Sequence, residues 1–179
     1  MIGRADRYAT AAAVQFAFPA ADTVFITTGT EYADALPAGP AATRLGAPIL
    51  PVQRTAIPLA AHLELQRLRP SRIYVLGGPA AVADSVVAEL TAYVGVTRLS
   101  AADCYQTSAA VGRAVWTSAP TVDLASGQDF ADGLADGAAA VATATWPNGA
   151  AVAFLATGLD FAAPSAASQW PVSPPPRCC

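Results

Sequence analysis

Asp6-Arg7-Tyr8 sets a carboxylate, a guanidinium and a phenol side by side in a stretch that is otherwise mostly alanine. Such a triplet could bind an anion, move a proton, or simply begin a helix. A related triplet, Asp103-Cys104-Tyr105, recurs later, and Asp34 and Asp132 each follow a glycine turn at Gly29 and Gly127. Other side chains able to do chemistry are few. His62 is the sole histidine; it lies in a leucine-rich stretch and has no counterpart in the second half, which argues against a general base. No serine sits in a Gly-x-Ser-x-Gly setting, and Ser126-Gly127 reads as a turn. Cys104, Cys178 and Cys179 form neither a disulfide framework nor a metal-ligand spacing, so no metal or cofactor is expected. Gly77-Gly78 lacks the Lys-Ser/Thr of a phosphate loop and reads as a tight turn.

The elements that hold these residues come in duplicate. Asp6-Arg7-Tyr8-Ala9-Thr10 matches Asp103-Cys104-Tyr105-Gln106-Thr107, and "TTGTEYADALPAGPAA" from Thr27 matches "ASGQDFADGLADGAAA" from Ala125. A period of roughly 95–100 residues is the size of a small domain and too long for most solenoids. In the first unit, strands are expected over Thr23–Thr28, Ala47–Val52 and Ser71–Leu76. They alternate with helices over Ala33–Leu45, Leu59–Leu68 and Pro79–Tyr93. Buried stripes are expected at Ala11, Val14 and Phe18, at Leu59, Leu63 and Leu68, and at Val82, Val86 and Leu90. The second unit is expected to carry a helix over Tyr105–Trp116, a strand over Thr121–Ala125, a helix over Ala131–Ala142 and a strand over Ala150–Leu155. The fold class is therefore α/β: tandem small parallel-sheet units of Rossmann or toprim-like kind, with helices on both faces. The domains read as 1–95, an incomplete 96–160, and a Pro/Ser-rich tail at 161–179.

In this layout the turns from strand to helix share one edge of the sheet, where ligands gather. Asp6 and Asp103 are expected to cap helices. Gly29, Gly77, Gly78 and Gly127 shape turns, while Arg7, Tyr8, Asp34, Tyr105 and Asp132 line the rim.

Composition narrows the partners. Hydrophobic residues make up 54% of the 179, enough for a core, and the net charge is −3. All ten basic residues are arginine, and no basic cluster tracks a nucleic acid. The uncharged run Gly137–Leu159 is broken by Trp146-Pro147-Asn148-Gly149, a turn signal, so no membrane span is expected and the chain reads as soluble. The chain also reads as part of a longer repeat protein.

Four blocks, "GRADRYATAA", "TGTEYADAL", "GAPILP" and "YVLGGPAAV", stand in the order and spacing of a known family. The chain resembles the type 2 cell-wall-binding repeat of Gram-positive bacteria from about Met1 to Leu155, more weakly in the second unit. The resemblance implies a non-catalytic module, outside the cell, that anchors an exported protein by binding an anionic wall polymer. It implies packing with a third repeat or another copy, and it ties Pro48, Ile49 and Leu50 to anchoring, although Pro51 replaces the family's last leucine. Two other readings stay open. One is part of a wall hydrolase of N-acetylmuramoyl-L-alanine amidase type, its catalytic domain elsewhere. The other is a phosphate- or nucleotide-binding α/β domain.

Overall fold

A computed structural model describes residues 5–31 and 36–119. The chain divides into two compact units, Met1–Val122 and Asp123–Cys179, and the described residues all belong to the first. Asp34, Gly127 and Asp132 lie outside the described residues, as do the expected elements from Thr121 to Leu155, the uncharged run Gly137–Leu159 and the tail.

Four parallel strands make the sheet: β1 (Thr23–Thr28), β2 (Ile49–Val52), β3 (Arg72–Leu76) and β4 (Val96–Leu99), in the order β2-β1-β3-β4. β1 is central and buried along its whole length, which is why it reads as an unbroken β-branched and aromatic run rather than an alternating one. Its register sets Phe25 beside Ile49 on one side and beside Tyr74 on the other. Side chains alternate between the two faces. Val24, Ile26, Leu50, Val52, Ile73 and Val75 point into one core. Phe25, Tyr74, Leu76 and Leu99 point into the other, where the Phe25 and Tyr74 rings stack 5.4 Å apart.

Helices cover both faces. α1 (Arg7–Val14), α3 (Leu59–Leu68) and α4 (Asp84–Leu90) serve the first core; α2 (Ala38–Leu45) and α5 (Cys104–Val115) serve the second. α2 buries only alanines, Ala38, Ala41 and Ala42, so its backbone lies close on the sheet. It begins at Ala38, later than Ala33, with Pro37 at its N-cap. α4 is likewise shorter than Pro79–Tyr93. Gly77 turns the chain at φ 91°, and the backbone from Gly78 to Ala83 forms a turn before the helix begins. Val82, Val86 and Leu90 are all fully buried even so.

Two expected stripes are out of phase. On α3 the buried side is Ala61, Glu64, Leu65 and Leu68, whereas Leu59 is 72% and Leu63 55% exposed. On α1 the buried positions at the helix and its end are Ala12 and Gln15, while Val14 is 46% exposed. Buried polar groups explain both. Gln15 donates from Nε2 to the Ile49 carbonyl at 3.1 Å. Glu64 is buried beneath Arg67, which donates to it from Nε and Nη2 at 3.0 and 2.7 Å. The same guanidinium donates to the carbonyls of Gln15 and Phe18 at 2.9 and 2.8 Å and lies over the Phe16 ring, tying α3 to the turn after α1. On the outer side of this layer, His62 sits between Tyr93 Oη, 2.6 Å from its Nδ1, and Glu89 Oε1, 3.0 Å from its Nε2. A Tyr93 hydroxyl donating to Nδ1 and an Nε2–H donating to Glu89 satisfy all three groups. Burial first, and Glu89 second, raise the Tyr93 pKa above its usual value of 10.0, which keeps that hydroxyl protonated.

Leu65→Ala is expected to destabilise the unit by about 2–5 kcal/mol through cavity formation, and Leu63→Ala by under about 0.5 kcal/mol. Arg67→Ala is expected to cost about 3–5 kcal/mol because it strands the buried Glu64 carboxylate. Urea unfolding of the three variants checks the order.

Candidate functional site

The carboxyl ends of the four strands form one rim. The connection after β1 runs to α2 on one face and that after β3 to α4 on the other, although β1 and β3 are neighbours. The topological switch point of the sheet, where open α/β folds take their ligands, therefore lies between these two strands. Its walls are Thr28-Gly29-Thr30 and Gly77-Gly78.

Asp6, Arg7 and Tyr8 reach this rim although their helix precedes the first strand. The Asp6 carboxylate caps α1, accepting from the Ala9 N–H at 2.7 Å. Arg7 donates from Nη1 to the Gly29 carbonyl. The Tyr8 ring lies against Gly29, where a Cβ would fall 2.5 Å from its Cε1 and 2.9 Å from its Cζ. Glycine is required here for close approach rather than for an unusual φ. The Thr28 and Thr30 hydroxyls pair at 2.8 Å, and the Thr30 N–H donates to Thr28 Oγ1 at 3.2 Å, which fixes the turn leaving Gly29.

The other wall has a matching device. Arg98, on β4, donates from Nη1 to the Gly77 carbonyl at 2.7 Å. Its Nη2 donates to the Val82 carbonyl at 2.8 Å and to Asp84 at 3.0 Å. Arg54, after β2, donates from Nε to the Ala80 carbonyl at 3.0 Å, and its own carbonyl accepts from the Ala83 N–H at 2.8 Å. An arginine thus grips the carbonyl just past each strand of the switch point, Gly29 past β1 and Gly77 past β3. Each wall is held by side-chain bonds to its backbone carbonyls, and guanidinium groups stand beside both.

The second copy of the motif is complete at its helix. Asp103 caps α5, accepting from the Gln106 N–H at 2.7 Å. Thr107 Oγ1 accepts from the Ala101 N–H at 3.2 Å. Tyr105, unlike Tyr8, is 58% exposed. Pro48, Ile49 and Leu50 are placed differently from the rim residues. Pro48 is buried and its carbonyl accepts from the Phe25 N–H at 3.0 Å. Leu50 is 1% exposed in the first core, and Ile49 packs against the second. Ile49 and Leu50 belong to the edge strand β2 and Pro48 leads into it, at the end of the strand away from the rim.

Arg98 and Arg54 are the residues that motif reading passed over. Arg98 stands five positions before the capping Asp103, a spacing that carried a signal; Arg54 stands in an unpatterned loop and carried none. Among the described residues no group of three His, Cys, Asp or Glu is arranged to hold a metal ion, and no helix there is long and apolar enough to cross a membrane.

Residues 2–87 match the sequence model of the family described as cell wall binding domain 2 (CWB2). The N-acetylmuramoyl-L-alanine amidase LytC of Bacillus subtilis (strain 168) is 26% identical over 125 residues, 69% of this chain and 25% of that protein. The chain thus spans about a quarter of the length of this relative. Among solved structures, Cwp6 from Clostridium difficile superposes with a TM-score of 0.60 at 29% identity, covering 63% of this chain and 18% of that one. Cwp8 from the same organism shares the fold with a TM-score of 0.59 at 23% identity, covering 63% and 20%.

Gly29→Ala is expected to destabilise the unit by about 1–3 kcal/mol, because the new methyl group displaces the Tyr8 ring. Tyr8→Ala in the same chain should recover part of that loss. A double-mutant cycle in urea measures the coupling, and simple additivity would show that the ring and Gly29 do not touch.

Proposed function

We propose that this chain, a member of the cell wall binding domain 2 family through residues 2–87, is a non-catalytic module that holds an exported protein on the Gram-positive wall by gripping an anionic polymer. The observation that carries the reading is the family match, joined to a switch point flanked by arginines held in place by backbone carbonyls. Arg7 spends one N–H on Gly29 and is otherwise exposed, so its remaining donors face the solvent edge where a phosphate or carboxylate of a polymer would lie. Arg54 is exposed in the same way beyond its bond to Ala80. The whole chain is acidic, but the described residues carry eight arginines against seven carboxylates. Attraction to an acidic polymer therefore rests on local placement rather than on net charge.

LytC is named for an amidase activity that belongs to a protein four times as long as the part shared here, and we take the shared part to be its binding portion. The functional groups on the rim support that assignment. They donate to backbone carbonyls or cap helices, and each does positional work.

The purified chain should sediment with isolated Gram-positive walls, and less so as salt is raised, since exposed ion pairs are screened. It should stay in the supernatant with walls stripped of their anionic polymer. Arg7→Ala and Arg54→Ala, shown folded by circular dichroism, should each weaken retention. Equal retention on stripped walls would overturn the polymer reading, and clearing of walls in a zymogram would overturn the non-catalytic one.

A further inference from the structure

The turn after β3 is held at both ends by one side chain. Arg98 donates from Nη1 to the Gly77 carbonyl at 2.7 Å, where the chain leaves the strand, and from Nη2 to the Val82 carbonyl at 2.8 Å, just before α4. Between these anchors the Ala80 carbonyl accepts from Arg54 Nε at 3.0 Å, and the Ala83 N–H donates to the Arg54 carbonyl at 2.8 Å. The turn thus joins the two arginines. Their exposure separates their tasks. The Arg98 side chain is 18% exposed, and its Nη2 also pairs with Asp84 at 3.0 Å. Both of its Nη groups are spent on the protein. Arg54 is exposed, and Nε makes its one side-chain bond among the described residues, so its Nη groups face solvent.

Arg98 belongs to a different part of the sequence from the turn it holds. It lies beyond residues 2–87, which match the family model, and in the segment that reads as the opening of the second repeat. The fold directs it back to the first. β4 pairs with β3 and sets Arg98 beside Val75. Val96 packs against the first core and Leu99 into the second, so alternation sends the Arg98 side chain to the first face, where α4 lies. The motif copy that follows has Cys104 where Arg7 stands in the first copy. The guanidinium that this segment does carry serves the unit before it. Lysine is no substitute there, because a single ammonium lacks the fork that reaches the Gly77 and Val82 carbonyls together.

We propose that Arg98 is a positioning residue for polymer binding: through the turn from Gly77 to Ala83 it sets where Arg54 presents its free donors. The anion-gripping rim of the first unit is then complete only with a residue from the segment that opens the second. This rests on the polymer reading above and deepens it. Arg98 itself does not touch the polymer. A change at Arg98 shifts the carbonyl that orients Arg54 without removing a donor from the solvent edge, and that difference can be measured.

The test follows retention of the full chain on isolated Gram-positive walls as salt is raised. Arg98→Lys, which keeps the charge beside Asp84, should bind about fivefold or more weakly than the parent, with the parent's salt dependence, because no polymer-facing charge is lost. Arg54→Ala should bind more weakly and with a flatter salt dependence. In the double variant, Arg98→Lys should add less than about twofold to the loss from Arg54→Ala, since it acts through that residue. Parental retention of Arg98→Lys, a flattened salt dependence in it, or additive losses in the double variant would each overturn the inference. Amide exchange gives a measure that needs no walls. The Ala83 N–H should exchange about tenfold or more faster in Arg98→Lys, while the Ala9 N–H, held by Asp6 on the other wall, keeps its parental rate. Unchanged exchange at Ala83 would also overturn the inference. A parent chain that stays off the walls would sink the polymer reading and this inference with it; a retained parent with any of the other adverse results sinks this inference alone.

Discussion

A glycine with no room for a Cβ is the constraint from which the rim is built. Gly29 ends the central strand, and the Tyr8 ring occupies the space a side chain would need. That contact fixes where α1 starts. With its head against the end of β1, the helix must run back along the sheet beside α3, and its last turn arrives where Arg67 can reach the carbonyls of Gln15 and Phe18. Arg7 then closes on the Gly29 carbonyl from the same turn. A helix that comes before every strand in sequence is thereby made part of the edge at which the strands deliver their loops. The cap at Asp6 completes the geometry by satisfying the Ala9 amide of the first turn.

Arginine performs the same task at several places, and the reason is chemical. A planar guanidinium donates in more than one direction at once and cannot lose its charge, so one side chain can tie together segments distant in sequence. Arg98 joins a strand to the turn after another strand, Arg67 joins α3 to the turn after α1 across three intervening elements, and Arg54 holds the loop before α4. Each binds backbone carbonyls, whose positions do not change with sequence, so the turns they hold can vary in side chain without losing shape. The rim turns of the first unit are each tied by such a bond to a segment distant in sequence.

Three of the four strands and the two caps were legible in the sequence because their signals are local, whereas β4 (Val96–Leu99), a short run interrupted by Arg98, was not expected. Thr23–Thr28 is β-branched and aromatic throughout, and Asp6 and Asp103 stand directly before alanine-rich or polar helical runs. The helix faces were not legible. In α1, alanine fills most positions, so periodicity has little contrast, and Ala11, Val14 and Phe18 made the more apolar line although Ala12 and Gln15 are the buried one. In α3, Glu64 belongs to the buried side only because Arg67 neutralises it, and a reading by hydropathy moves the stripe to Leu59 and Leu63. Val82, Val86 and Leu90 were rightly read as core, although the first of them lies in a turn whose shape depends on Gly77 and on arginines from two other segments. Of the site, the motif residues were readable and the partners that hold them were not, because those partners come from loops and strands with no pattern of their own.

The stripe misjudged on α1 is itself informative. Val14 is apolar, regularly spaced and exposed, whereas its counterpart Val111 is apolar, regularly spaced and buried. The pattern is similar in both helices, but α5 lies against α2, β3 and β4 through Val111 whereas α1 turns Ala12 and Gln15 inward. Hydrophobic periodicity finds the apolar line of a helix, and burial follows it only where that line carries the contrast. A phase error between pattern and burial therefore reports what the fold lays against each side of the helix, which the pattern alone does not contain.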